Sequence, residues 1–170
     1  MEKIAKFSKV SLEQFAKDWQ NLFSTQENIK EIYDNIKLPQ RATIGSAGYD
    51  FYAPMAVKLM PKESIFIPTG VRVEIKEGWL LALFPRSGLG IKHRLQLDNT
   101  AGIIDSDYYY AQNEGHIMAK ITNDTNEEKI LEIKAGQGFM QGIFLSYGIC
   151  VDDETNELRM GGFGSTDQKK

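Results

Sequence analysis

From Arg41 onward the chain runs in short apolar or alternating stretches, each closed by Gly, Pro, Asn or Asp. That rhythm predicts many short strands, arranged as a sandwich or jelly roll rather than as a βαβ sheet. Candidate strands are Tyr49–Ala53, Ser64–Ile67, Val71–Ile75, Leu80–Phe84, Arg94–Leu97, Ile117–Thr122, Ile130–Ile133 and Gly142–Tyr147. Turns are expected at Pro61, Pro68-Thr69-Gly70, Lys76-Glu77-Gly78, Gly88 to Gly90, Asn123-Asp124 and Gly136. The first forty or so residues read differently. After a short apolar stretch near Phe7 to Val10, Leu12, Phe15, Ala16, Trp19, Leu22 and Phe23 recur at helical spacing and form one apolar stripe. Ser11 with Gln14 reads as a capping box. Ile29, Ile32, Tyr33 and Ile36 continue the period, with Ser24 and Glu27 as start signal. Leu38-Pro39 is the stop, because the residue before a proline is pushed out of the helical region. Two short helices are expected, at 11–23 and 26–36.

Composition narrows the function. A chain of 170 residues with 42% hydrophobic content suits one domain with its own core. Lys and Arg total 20 against 23 Asp and Glu, a net charge of -3, which excludes nucleic-acid binding by bulk positive charge. A polyanionic ligand must instead be held by a few aimed cations, backbone N–H groups or a metal. Cys150 is the single cysteine and His93 and His116 the only histidines, so neither a disulfide nor a cysteine or histidine-rich metal centre is expected. Cys150 lies in an apolar run and is expected to be a buried, inert thiol. No apolar run approaches the roughly 18 residues that span a bilayer. The opening MEKIAKFSKV lacks the apolar centre of a signal peptide, so a cytoplasmic protein is expected.

Four glycine-bearing polar segments fit poorly as core: SAGYD (46–50), PRSGLG (85–90), NTAGIIDSDY (99–108) and RMGGFGST (159–166), with GQGFMQ (136–141) a weaker fifth. Each has a plain reading as a turn, hairpin tip or linker. Each also has a chemical one. In PRSG, Arg86 offers a forked cation, Ser87 a hydroxyl, and Gly88 room for N–H groups to approach an anion. In IIDSDY, an apolar strand would hold the Asp105 carboxylate rigidly beside a water, as a general base requires. In GGFGST, Phe163 is out of place in a solvated linker but suits a lid that stacks on a base.

Taken together and in this order, SAGYDFYAP, PRSGLG, NTAGIIDSDY, GQGFMQ and GGFGST resemble the five motifs of the trimeric dUTPase family, over about residues 38 to 166. The resemblance implies a distorted jelly roll of the β-clip type, here with an N-terminal two-helix extension. Residues 1–37 would form a strand and two helices packed on the core, 38–158 the β core, and 159–170 a mobile arm that closes an active site. It implies a homotrimer with sites between subunits, Mg²⁺ held mainly by substrate phosphates and water, and hydrolysis of dUTP to dUMP and pyrophosphate. That reaction removes dUTP and supplies dUMP for thymidylate synthesis. By the same resemblance, Asp105 activates the water that attacks the α-phosphorus, and Gln141 lies near the phosphates and that water. Tyr108 lies against the deoxyribose and leaves no room for a 2′-hydroxyl. Asn99 and the backbone from Gly102 to Ile104 form the hairpin that reads uracil. Arg86, Ser87 and Gly88 bind phosphate from a neighbouring subunit, Asp50 supports the site through indirect metal contact, and Phe163 covers the base. Arg159, Gly164, Ser165 and Thr166 wrap the outer phosphates.

Three features depart from the family pattern. Tyr109–Asn113 looks like a hairpin insertion after Tyr108. Many members have one more residue between the last arginine and GGFG. The helical segment from Ser11 to Ile36 is larger than usual; its stripe would cover the subunit's own sheet or else bind a protein partner. Two other functions remain open on the same fold. One is a dCTP deaminase, or a bifunctional deaminase–dUTPase, for which Glu114 is the candidate carboxylate. The other is a nucleotide-responsive regulatory protein.

Overall fold

The computed structural model describes residues 2–24 and 28–157, together with Arg159 and Gly161. In chain order the described elements are β1 (Ala5–Lys9), α1 (Leu12–Leu22), α2 (Ile29–Asp34), β2 (Gln40–Arg41), β3 (Tyr49–Tyr52), β4 (Val57–Leu59), β5 (Ser64–Ile75), β6 (Trp79–Pro85) and α3 (Ser87–His93). There follow β7 (Leu95–Leu97), β8 (Gly102–Ile104), a 3-10 helix (Ser106–Tyr110), β9 (Ile117–Asn123), β10 (Leu131–Ile133) and β11 (Gly138–Ser146). The expected mainly β, jelly-roll-like class holds. One sheet has the order β1-β5-β9-β7, a second β2-β3-β11-β6-β8, and β10 pairs with β4.

Alternation explains the strands. Along β9, Ile117, Ala119, Ile121 and Asn123 are buried while Lys120 between them is exposed, so one face meets the core. Buried Asn123 is satisfied because its amide donates to the carbonyls of Leu59 (3.0 Å) and Lys129 (2.9 Å), which ties the β4–β10 pair to the larger sheet. Phe7 of β1 joins the two large sheets, its ring 5.3 Å from that of Tyr49, 5.7 Å from Phe51 and 5.8 Å from Phe144. Such tilted and edge-on pairs add to the burial of the rings themselves.

Three local expectations are corrected. Pro68-Thr69-Gly70 does not separate two strands: β5 is continuous through it, with its register against β9 slipping between Pro68 and Val71. Gly70 has φ +72°, and a Cβ there would lie 2.2 Å from Ile36 Cδ1. The signal read as a turn is a bulge, and its glycine makes room for the N-terminal helical segment. The capping box at Ser11 is half made. Its Oγ accepts the Gln14 N–H (3.1 Å), but the Gln14 side chain turns to Asp18, and the distant Glu114 takes the Ser11 N–H instead (2.7 Å). The second helix is shorter than expected and is capped by Asn28, whose Oδ1 accepts the Glu31 N–H; Glu27 of the expected start signal lies outside the described residues.

The apolar stripe of α1 faces inward. Phe15 and Trp19 are 0% and 1% exposed, and Phe15 stacks near Tyr33 and His116. Among the described residues no helix is long and apolar enough to cross a membrane.

Candidate active site

Three of the glycine-bearing segments interlock at one end of the five-stranded sheet. Gln141 on β11 is in register with Asp50 on β3 and with Phe84 on β6, two residues before Arg86. A Cβ on Gly48 would lie 2.6 Å from Gln141 Oε1, and one on Gly138 would lie 3.0 Å from an Arg86 nitrogen. The glycine of SAGYD therefore makes room for the glutamine of GQGFMQ, and a glycine of GQGFMQ makes room for the arginine of PRSG. The Arg86 N–H also donates to the Phe139 carbonyl (3.1 Å), and its guanidinium lies 3.3 Å from the Asp50 carboxylate. GQGFMQ is not the poorly packing stretch its polarity suggests, because Phe139 and Met140 are fully buried. PRSG is more than a turn, since Arg86 immediately precedes α3, which starts at Ser87 with Ser87 and Gly88 exposed.

Asp105 sits at the other end. It follows β8 and immediately precedes the 3-10 helix, its carboxylate making no capping bond, with Ile104 buried at 1% just before it and Tyr108 at 3% within the helix. The carboxylate is thus fixed between two buried anchors. Arg159 reaches back to it with a forked contact: one nitrogen is 2.7 Å from Asp105, another 2.9 Å from Asp107, and the guanidinium lies 5.7 Å from the Tyr108 ring centre. Burial pushes the Asp105 carboxyl above its ordinary value; Arg159 opposes this and Asp107 adds to it. Burial also pushes the Tyr108 phenol up to about 12, so it stays protonated. Its hydroxyl donates to the His116 carbonyl (2.8 Å).

The two ends are far apart within one chain. β8 runs antiparallel to β6 with Leu81 opposite Ile104, which places Asp105 beside Leu80. From Leu80 to Arg86 along the strand direction is about 20 Å.

The remaining expected residues divide. β8 is the outer strand of its sheet, so one edge of the Gly102–Ile104 backbone is unpaired by any strand among the described residues. Asn99 is exposed in the turn before it. That turn is not a hairpin, because β7 pairs with β9 in one sheet and β8 with β6 in the other. Tyr109–Asn113 is not a hairpin either: it continues the 3-10 helix into a turn and packs against β5, whose Arg72 lies over the Tyr109 ring and donates to the Tyr109 carbonyl. Glu114 accepts hydrogen bonds from the Ser11 N–H (2.7 Å) and Oγ (2.6 Å) and so caps α1. Cys150 is exposed, not buried. Its apolar run continues past β11 onto the surface, with Ile149 75% and Val151 109% exposed. Phe163, Gly164, Ser165 and Thr166 lie outside the described residues. His116 and Asp18, whose paired side chains lie behind Tyr108, carried no sequence signal.

Fold and site together define a jelly-roll-like β subunit whose polar chemistry lies at two ends of one sheet. Residues 34–167 match the family model of dUTPase, and the chain belongs to that family. Among curated proteins, it is 40% identical over 134 residues to deoxyuridine 5′-triphosphate nucleotidohydrolase of Lactococcus lactis, covering 77% of this chain and 88% of that one. It is 40% identical over 143 residues to the enzyme of the same name from Tolumonas auensis, covering 79% and 90%. The crystal structure of dUTPase from Streptococcus mutans superposes with a TM-score of 0.60 at 33% identity, covering 76% of this chain and 95% of that one. The fold is shared more widely. A dUTPase variant from phage phi11 of S. aureus, in a structure concerned with the coordination of a structural Mg(II) ion, has a TM-score of 0.63 at 19% identity over 92% of this chain and 99% of that one.

Proposed function

We propose that this chain hydrolyses dUTP to dUMP and pyrophosphate in the cytoplasm, at three sites each shared between copies of a homotrimer. The observation that carries the reading is the separation of Asp105 from the Asp50–Arg86–Gln141 cluster. Groups that act on one phosphorus must converge to within a few ångströms of it, about 3–3.5 Å for the attacking atom. Asp105, beside Leu80, lies about 13 Å along the strand direction from Gln141, opposite Phe84, and about 20 Å from Arg86. Ends this far apart in one subunit can converge on one phosphorus only if they come from different subunits. The exposed apolar run at Leu145, Tyr147, Ile149 and Val151 supports association, because a lone chain would leave it in water.

In this reading the Asp105 carboxylate takes a proton from water as its oxygen bonds to the α-phosphorus. The bond from that phosphorus to the bridging oxygen breaks, and pyrophosphate leaves with the electron pair. Gln141 orients the water, and Arg86 with Ser87 and Gly88 stabilises charge building on the phosphates. Asp50 holds Arg86 in place. The unpaired edge of β8, with Asn99, reads the uracil edge, and a mismatched base would leave buried donors and acceptors without partners. Arg159 exchanges Asp105 and Asp107 for the outer phosphates, which frees the base. Phe163, Gly164, Ser165 and Thr166 then close over uracil and phosphates.

Among the described residues no group of three or more His, Cys, Asp or Glu could hold a metal ion. The Asp50 carboxylate already faces Arg86. Mg²⁺ would be held mainly by the substrate phosphates and water, with Asp50 in indirect contact. When bound it offsets phosphate charge.

Glu114 bears on the deaminase reading. Its carboxylate is engaged in capping α1, and those hydrogen bonds outweigh burial and keep it below its ordinary value. That geometry favours hydrolysis over deamination. Product analysis with dUTP, UTP, dTTP and dCTP, with and without Mg²⁺, tests the assignment. Pyrophosphate is expected from dUTP alone, and release of dUTP from dCTP would overturn the hydrolase reading.

The acid limb of kcat/KM is a second check. It reports the free enzyme's essential base, and a base must be deprotonated to act. Since the Asp105 carboxyl is raised, activity should fall with decreasing pH above the ordinary aspartate value. Arg159→Met removes the opposing cation and should move the limb to higher pH. Asp107→Asn should move it to lower pH.

A further inference from the structure

We infer that Asp18 and His116 are positioning residues for the Tyr108 ring, so that α1 sets how strongly the site rejects a ribose 2′-hydroxyl. The inference rests on the proposed reading, in which Tyr108 lies against the sugar.

The geometry forms a continuous chain from α1 to the phenol. The Tyr108 hydroxyl donates to the His116 carbonyl (2.8 Å) and accepts from the Asn113 amide (2.9 Å). The His116 side chain is fully buried and held at both nitrogens. Nε2 accepts the Gly70 N–H (2.8 Å), so it carries no proton. The proton is then on Nδ1, which donates to Asp18 on α1 (2.5 Å). This fixes the tautomer as well as the ring plane. Asp18 is itself fixed, accepting from Gln14 one helical turn earlier (2.9 Å). Burial raises its carboxyl, but the bonds from His116 and Gln14 outweigh that and leave it below its ordinary value.

A second set of contacts closes the same side. Glu114 joins the loop to the start of α1 through Ser11. Gly115 has φ +69°, and a Cβ there would lie 2.7 Å from the Tyr108 carbonyl oxygen, so the loop folds directly on the Tyr108 backbone. Arg72 stacks 3.6 Å from the Tyr109 ring centre and donates to the Tyr109 carbonyl (2.7 Å). The Tyr108 hydroxyl is therefore tied to α1 through His116 and Asp18, and the loop that follows Tyr108 is held by Ser11 at the start of α1 and by Arg72 of β5.

Excluding a hydroxyl by contact depends on where the ring lies to a fraction of an ångström. Asp18 and His116 act through Tyr108 and need not touch substrate. A general loss of stability would lower activity toward dUTP and UTP alike, whereas loosening the ring changes their ratio.

The test is kcat and KM for dUTP and for UTP on the purified full-length protein. Asp18→Ala is expected to lower the dUTP-to-UTP ratio of kcat/KM about tenfold, in line with the large penalties of small misplacements. Asp18→Asn keeps an oxygen that can accept from Nδ1–H and should stay within about threefold of the parent. In a Tyr108→Phe background, Asp18→Ala should add no further loss of discrimination, because coupled groups are non-additive. If Asp18→Ala does not fold, Asn113→Ala, which removes the amide on the phenol from a surface loop, should lower the ratio in the same way. The inference is overturned by an unchanged ratio in the folded variants, by Asp18→Asn as impaired as Asp18→Ala, or by equal losses in both backgrounds. A parent chain that does not hydrolyse dUTP overturns the reading of the site itself and this inference with it.

Discussion

Asp105→Asn is expected to lower kcat for dUTP by about 10³-fold, the scale of a positioned general base, with nucleotide affinity kept within a few-fold. The amide is nearly isosteric with the carboxylate, and the anchors on either side, Ile104 and Tyr108, do not change. The amide cannot take a proton from water. It can still accept a hydrogen bond from Arg159, whose second contact to Asp107 is untouched. Binding measured by calorimetry and turnover measured by pyrophosphate release should therefore separate. Retained turnover would remove Asp105 from the role of base and direct attention to Asp107.

Mixing two inactive variants should restore activity. Asp105→Asn disables one end of the site and Arg86→Ala the other. If each site draws its two ends from different subunits, a refolded one-to-one mixture contains sites in which both ends are intact. Random assembly of a cyclic oligomer gives about a quarter of the sites this arrangement. If both ends came from one subunit, no intact site could form at any mixing ratio. The about 20 Å between Asp105 and Arg86 along the strand direction requires the first outcome. Arg86→Ala should itself weaken phosphate binding, since it deletes a forked cation facing Asp50 and packed over Gly138.

Much of this architecture is visible in the residues. Alternation in Ile117–Asn123 announces a strand with one face on the core, and the apolar run before Pro85 a strand buried on both faces, since Leu81, Ala82 and Leu83 are all buried. Strands of two or three residues, such as β2 and β4, are too short to carry a period. The continuity of β5 is hidden because a bulge and a turn use the same residues, Pro68 to Gly70. At the site, each motif announces an isolated role, but not its partners. That Gly48 makes room for Gln141, or Gly138 for Arg86, depends on strands brought together from distant positions. Asp18 and His116 are 98 residues apart, and neither lies in a motif. The surface position of Cys150 was illegible for another reason: an apolar run left exposed on a chain looks the same in sequence as one buried within it.

The most direct measurement of the central claim is hydrolysis of dUTP in heavy-oxygen water, with mass analysis of both products. Water driven by Asp105 into the α-phosphorus places the label in dUMP and leaves pyrophosphate unlabelled. Label recovered in pyrophosphate instead would mean attack on the β-phosphorus, and the arrangement of Asp105, Gln141 and Arg86 described here would be wrong.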